Sequence, residues 1–310
     1  MITTVLIDGE PSPGVIPVTD SAVVRGDGCF EVLRSYGGTA FAVSDHLDRL
    51  ETSARLLRIV LPAREEITTW IRAIASELGD GAVRILVTRG AGIPGLEDPP
   101  RVIVFGHTWE PPVSPGRLLP VSAPWHAAGA TWDLAGAKAL SYAPNMAAGR
   151  HAREAGFHDA LLVTPEGVVL EGPTFSVAWV VGDVLETPGL ELGILDSITR
   201  RFVLDDARFL GIEVREGAWG LSRLQSASEA LAMSTIREVQ PIGAIGDVVF
   251  DEGPVTKRLA EAFAERVGAD RPDLAARVRL IARLYAGLRY GRLKSDESRR
   301  LGRLVRTFRA

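Results

Sequence analysis

Apolar residues recur along this chain at two periods, and the switches between them predict its elements. Leu47, Leu50, Ala54 and Leu57 fall at helical spacing, so a helix runs from a cap at Ser44 to about Ile59, and a second covers about 65–78. Ahead of them TTVLIDG reads as a short strand. GCFEVLRSY, the pair Gly37-Gly38 and TAFAV read as a hairpin with a glycine turn. AVRILVT and RVIVFG follow as strands, joined by the turn-rich RGAGIPGLEDPP. The proline-rich segment 109–120 reads as a linker. Beyond it the pattern predicts helices at about 144–155, 198–210 and 254–267, with strands at DALLVT, VVLE, FSVAWVV and EALAMS. These blocks predict an α/β (α+β) protein of two domains. A small N-terminal α/β domain spans 1–116 and a larger C-terminal mixed β/α domain spans 117–268, with a site expected in the crevice between them. A basic helical extension, 269–310, follows, with Leu274, Val278, Ile281, Tyr285 and Leu288 on one helix face.

Composition narrows the class. At 310 residues and 46% apolar, the chain can bury a core without staples, and its single cysteine, Cys29, excludes an intrachain disulfide and a cysteine-based zinc site. The five histidines show no ligand spacing, so no metal site is expected. Residues 269–310 carry 12 Lys and Arg against 4 Asp and Glu, which leaves the body acidic and argues against nucleic acid as its partner. The first residues hold no apolar signal core, and nowhere do roughly 18 apolar residues run together, so a soluble, cytoplasmic protein is expected, with no membrane partner. Gly90 to Gly95 matches G-x-G-x-x-G, but a proline and another strand follow where a dinucleotide site needs a helix. P-loop, zincin and nucleophile-elbow motifs are absent.

Lysine usage is more informative. Of 35 basic residues all but Lys138, Lys257 and Lys294 are arginine, so the chain uses Arg for ordinary positive charge. Lysine alone can be driven neutral by burial and attack a carbonyl. Lys257 and Lys294 stand among charged residues, whereas Lys138 stands in DLAGAKALSYAPN, a small and apolar setting that fits a buried amine or, equally, a snorkelling lysine at an element end. Tyr142 follows four residues later. Glu171 ends VVLE before Gly172-Pro173, where a carboxylate can keep a pyridine nitrogen protonated. GILDSITR opens a helix whose free N–H groups favour a phosphate, and Ser234-Thr235 adds two hydroxyls. Amine, carboxylate and anion cradle together describe a site for pyridoxal 5'-phosphate.

In order along 1–268, RGDGCFEVLR, HLDRLETSARLL, VRILVTRG, AKALSYAPNMAAGRHAREAG, DALLVTPEGVVLEG, GILDSITRR and EALAMSTIREVQPIGAIGD resemble the class IV (fold type IV) pyridoxal phosphate enzymes. That family includes branched-chain aminotransferases, D-amino acid aminotransferases and 4-amino-4-deoxychorismate lyase. The resemblance implies that Lys138 holds the cofactor covalently and serves as the catalytic base. It implies that Arg49, the Ile198 and Thr199 backbone and Thr235 grip the phosphate, that Tyr142 lies near the phenolic oxygen, and that Glu171 pairs with the ring nitrogen. It also implies a homodimer and a small-molecule amino substrate. The chain departs from the family pattern at Asp196-Ser197, where proline-glycine is common, and near Phe175-Ser176, where a serine- or threonine-asparagine pair is common.

Class IV members differ in the reaction. GDGCF looks like the lyase, which makes 4-aminobenzoate for folate, and this is the leading expectation. Glu31-Val32-Leu33-Arg34 is more like the aminotransferases, the alternative, although GAGIPGLED lacks the Arg-x-His expected of the D-amino acid enzymes. A non-catalytic scaffold of the same fold is the third reading. Arg34 and Arg89 are the arginines best placed to fork onto a substrate carboxylate or, equally, to make a structural ion pair.

Overall fold

The period-2 pattern of the first hundred residues becomes one antiparallel sheet. A computed structural model describes residues 2–269 except 93, 94, 96, 97, 130 and 131, so the predicted tail helix lies outside the described residues. The first unit contains β1 (Val5–Ile7), β2 (Glu10–Ser12), α1 (Ser21–Arg25), β3 (Gly28–Tyr36), β4 (Thr39–Ala40), α2 (Val43–Leu56), α3 (Arg64–Leu78), β5 (Gly81–Thr88) and β6 (Arg101–His107). Its six strands run in the order β2-β1-β6-β5-β3-β4. Side chains alternate across them. Cys29 and Leu33 of β3, with Val83, Ile85 and Val87 of β5, pack under Leu47, Leu50, Ile67, Ile71 and Ile74 of α2 and α3. The opposite parity, Phe30 and Val32 paired with Leu86 and Arg84, lines a cavity.

The second unit holds β7 (Gly116–Ser122), α4 (Ala143–Glu154), β8 (Asp159–Val163), β9 (Ser176–Val181), β10 (Val184–Pro188), α5 (Ile198–Phe209), β11 (Glu213–Gly217), β12 (Glu229–Ser234), β13 (Glu238–Ile245), β14 (Val248–Val249) and α6 (Pro254–Ala269). Its main path is β11-β10-β9-β12-β13-β7-β8, parallel at β10–β11, β13–β7 and β7–β8, with β14 beside β13. Both faces are covered. Ala178, Val180, Leu231 and Met233 meet Val203, Leu204, Leu259 and Phe263 of α5 and α6, while Trp179, Ala230 and Ala232 pack with Leu161 and Phe250 on the other side. Two-sided burial explains why FSVAWVV and EALAM read as unbroken apolar runs.

Aromatic contacts tie the units together. Phe41, just past β4, leaves its own sheet and packs edge-on against Phe202 and Phe263 of the second core. The Tyr36 hydroxyl donates to Glu238 at 2.7 Å.

Some boundaries differ from the sequence expectation. The linker ends at Gly116 rather than 120, because Gly116–Ser122 pairs with β13 and β8 despite its proline. Ser44, the expected cap, lies inside α2, which begins at Val43 with Ala42 in the cap position. The chain reverses at Ala42 (φ 52°) after Phe41 N–H donates to the Arg34 carbonyl, so TAFAV cannot extend as a strand. VVLE makes isolated bridges at Val168 and Val169 and no ladder.

Candidate active site

Lys138 is held by main-chain bonds between the two units. At residues 28–30 the edge of β3 away from β5 is met by residues 138–140: Phe30 N–H donates to the Lys138 carbonyl (3.0 Å) and Leu140 N–H donates to the Gly28 carbonyl (2.9 Å). The Lys138 N–H donates to Ser53 Oγ of α2 at 3.1 Å. Glycine is required at position 28, because a Cβ there would lie 2.2 Å from the Val87 carbonyl oxygen and 2.6 Å from Leu140 Cδ1. The amine is then fixed over aromatic rings, with Nζ 4.3 Å from the Phe30 centroid and 5.6 Å from that of Tyr142. Burial, and then the positive charge of Arg49, lower its pKa from the usual 10.5 to about 8, against the opposing pull of Glu31 and Glu171. The Tyr142 ring stands edge-on to Phe30 at 5.1 Å, and burial with the charge of Glu171 raises its phenol above the usual range.

Arg49 approaches from α2. Its Nε and Nη2 donate to the two oxygens of Glu31 at 2.7 and 2.8 Å, and Nη1 donates to the Asp196 carbonyl at 3.0 Å. Asp196 leads into α5, where Ser197 caps the helix by accepting from Arg200 N–H at 3.3 Å. On the other wall the Glu171 carboxylate accepts from Leu195 N–H, 3.3 Å to each oxygen, and lies 3.5 Å from His126 Nε2.

Five of the expected residues, Lys138, Arg49, Tyr142, Glu171 and Thr235, line one cavity of about 480 Å³. Ile198 and Thr199 do not line it. They are buried in the first turn of α5, directly behind the cavity-lining Ser197. Arg34 and Arg89, the expected substrate arginines, are engaged elsewhere. Arg34 shares the parity of Phe30 and Val32 but lies further along β3, where it stacks on Trp109 at 3.9 Å and donates to the Gly81 carbonyl. Arg89 lies past the end of β5 and is forked onto Asp27, with further bonds to the Leu57 and Arg58 carbonyls. The cavity contains two arginines the sequence reading passed over. Arg84 pairs with His107 Nε2 at 3.0 Å and with no carboxylate among the described residues. Arg237 lies over Phe175 at 4.3 Å and pairs with Asp159 at 2.5 Å. The signal for Arg84 was its parity in AVRILVT, two residues from Leu86 and across from Val32.

A family model described as amino-transferase class IV matches residues 28–245. The chain belongs to that family. It is similar to a putative branched-chain-amino-acid aminotransferase of Methanocaldococcus jannaschii, 31% identical over 261 residues, covering 81% of this chain and 90% of that one. It is also similar to a bifunctional aminodeoxychorismate lyase / D-amino acid transaminase of Mycobacterium tuberculosis, 31% identical over 291 residues, covering 86% and 97%. A solved structure of a hypothetical aminotransferase from Mycobacterium tuberculosis in PLP-bound form aligns with a TM-score of 0.78 at 28% identity, covering 87% of this chain and all (100%) of that one. The fold is therefore fold type IV and the protein is a pyridoxal phosphate-dependent enzyme, so the scaffold reading falls.

The class IV cavity fits that cofactor on its own chemistry. It offers an amine of lowered pKa, a carboxylate fixed by a backbone N–H, a capped helix N-terminus beside an arginine, and the buried Ser176 Oγ, which has no hydrogen-bond partner among the described residues. Because the neutral amine is the nucleophile, an amine with this lowered pKa should capture pyridoxal phosphate in cofactor-free protein at a rate that rises with pH, reaches half its plateau near 8 and levels off above it. Stopped-flow absorbance checks this. A rate still climbing toward about pH 10, as for an ordinary lysine, contradicts it.

Proposed function

We propose that this class IV enzyme is a 4-amino-4-deoxychorismate lyase, converting aminodeoxychorismate to 4-aminobenzoate and pyruvate in the cytoplasm, for folate. One observation carries the reading. Phe30, Val32 and Leu86 make an apolar wall in which Arg84, among the described residues, stands without a carboxylate partner. A flat ring bearing a carboxylate satisfies both, removing apolar surface from water and taking the guanidinium fork. The lyase-like GDGCF ends in Phe30 of that wall, and one of the similar proteins is named for this activity.

In this reading Arg49, the Ile198 and Thr199 N–H groups and Thr235 would hold the cofactor's phosphate, Tyr142 its phenolic oxygen and Glu171 its ring nitrogen. When bound, the cofactor supplies a sink for the electron pair released at the substrate's amine-bearing carbon. Lys138, with its lowered pKa, takes the proton from that carbon. The bond between ring carbon and enol oxygen then breaks with its electron pair going to the oxygen, the ring becomes aromatic, and the Lys138 ammonium returns its proton to the methylene carbon of the departing enolate to give pyruvate. Arg84 also favours a second reading, an aminotransferase acting on branched-chain or D-amino acids. The 2-oxo acid acceptor of such an enzyme, when it is 2-oxoglutarate, carries a second carboxylate for Arg84.

A homodimer accompanies this proposal, supported by Val15, Val18, Val23 and Val24, which are exposed on α1 and the chain before it. Among the described residues no helix is long and apolar enough to cross a membrane.

With aminodeoxychorismate and no added 2-oxo acid, 4-aminobenzoate and pyruvate should form in equal amounts over many turnovers. Arg84→Gln should lower kcat/KM about 10- to 100-fold, the scale of a charge-assisted pair. An enzyme inert to aminodeoxychorismate that exchanges amino groups with 2-oxoglutarate is an aminotransferase instead. Light scattering on the same preparation should give twice the monomer mass, and a monomer with full activity contradicts the dimer.

A further inference from the structure

The odd-numbered residues of β3 face the helices, and between the apolar Cys29 and Leu33 that pattern buries a carboxylate. Glu31 is fully buried (0% exposed) among core side chains. Burying a carboxylate is strongly unfavourable unless its oxygens are paired and hydrogen-bonded. Both oxygens of Glu31 are. Oε1 accepts from Arg49 Nε (2.7 Å), and Oε2 accepts from Arg49 Nη2 and from His46 Nδ1, each at 2.8 Å. His46 and Arg49 stand three residues apart on one face of α2. Burial lowers the His46 pKa despite Glu31, so its ring is neutral and Nδ1 carries the proton it gives to the carboxylate.

We propose that Glu31 is a positioning residue which, with His46 behind it, sets the Arg49 guanidinium for the cofactor's phosphate. The inference rests on reading Arg49 as a phosphate contact. A two-pronged bond fixes the plane of a guanidinium as well as its place. With Nε and Nη2 committed to Glu31, Nη1 is left directed to the Asp196 carbonyl, at the entrance to α5 and beside the cavity-lining Ser197. Asp196 also follows Leu195, whose N–H holds Glu171, so the loop that Arg49 fixes leads from the Glu171 carboxylate to the helix N-terminus. Because Glu31 offsets the charge of Arg49, the grip on an anion depends on orientation rather than on excess positive charge. A plain core ion pair would matter equally to every form of the cofactor. A positioning residue for phosphate would not.

The test compares pyridoxal 5'-phosphate with pyridoxal, which keeps the aldehyde and lacks the phosphate. Each is titrated by absorbance into full-length, cofactor-free protein of wild type, Glu31→Asp, Glu31→Gln and Arg49→Gln. Glu31→Asp keeps the charge but withdraws the carboxylate by about one carbon–carbon bond, ~1.5 Å. Both Glu31 variants should bind pyridoxal phosphate about tenfold more weakly while binding pyridoxal within about twofold of wild type, a loss on the scale of one charge-assisted hydrogen bond. Pyridoxal binding thus serves as the control for folding. Should the Glu31 variants not fold, His46→Leu removes one of the three bonds to Glu31 and should give a phosphate-selective fall of about threefold. The proposal is overturned if the two ligands weaken together, or if Glu31→Asp keeps the preference that Arg49→Gln loses. If Arg49→Gln itself keeps the preference, the reading of Arg49 as the phosphate contact fails and the proposal with it.

Discussion

The site depends on a backbone pairing. Residues 138–140 complete the free edge of β3 at 28–30, and this pairing carries Lys138 from the second unit onto the sheet of the first. The pairing needs glycine at 28, and it needs Ser53 on α2 to receive the Lys138 N–H. Once made, it places the amine over Phe30 and beside Tyr142, inside a cavity neither unit encloses alone. The Phe41 cluster and the Tyr36–Glu238 bond hold the units in the arrangement that this pairing requires.

Burial then tunes the charges. Lys138 is desolvated and stands near Arg49, so its pKa falls toward the range where the neutral amine is available. The same burial would raise the Glu31 pKa, but Arg49 and His46 outweigh it and hold that carboxyl below the usual carboxylate range. Arg49 is thereby kept charged and oriented. The wall around Arg84 is different, because its hydrogen-bond partner is an imidazole nitrogen. That guanidinium retains its appetite for a carboxylate, and the substrate reading turns on it.

Much of this was legible in the sequence, and the misses share a cause. A chain that uses arginine for ordinary charge made Lys138 stand out, and motif order brought Arg49, Tyr142, Glu171 and Thr235 into one expectation, which the cavity unites. Long helices and two-sided strands were legible because their periodicity is strong. Short elements were not: β10 and β11 pair through sequences, VLETP and EVREG, whose own pattern is weak, so neighbours in space supply what spacing does not. Arg34 has the right parity at the wrong distance along β3, and Arg89 has a dedicated acid in Asp27, a partner 62 residues away that spacing cannot reveal. Arg84 was visible as a cation of cavity parity in an apolar strand, but recognising it required the register of β5 on β3.

The central claim is that this interlocked edge makes Lys138 the residue that holds the cofactor. The direct measurement is borohydride reduction of the cofactor-loaded protein, followed by proteolysis and mass mapping. The account predicts one reduced pyridoxyl group per chain, on the peptide containing Lys138. Reduced cofactor on Lys257 or Lys294, or no cofactor fixed at all, would contradict it.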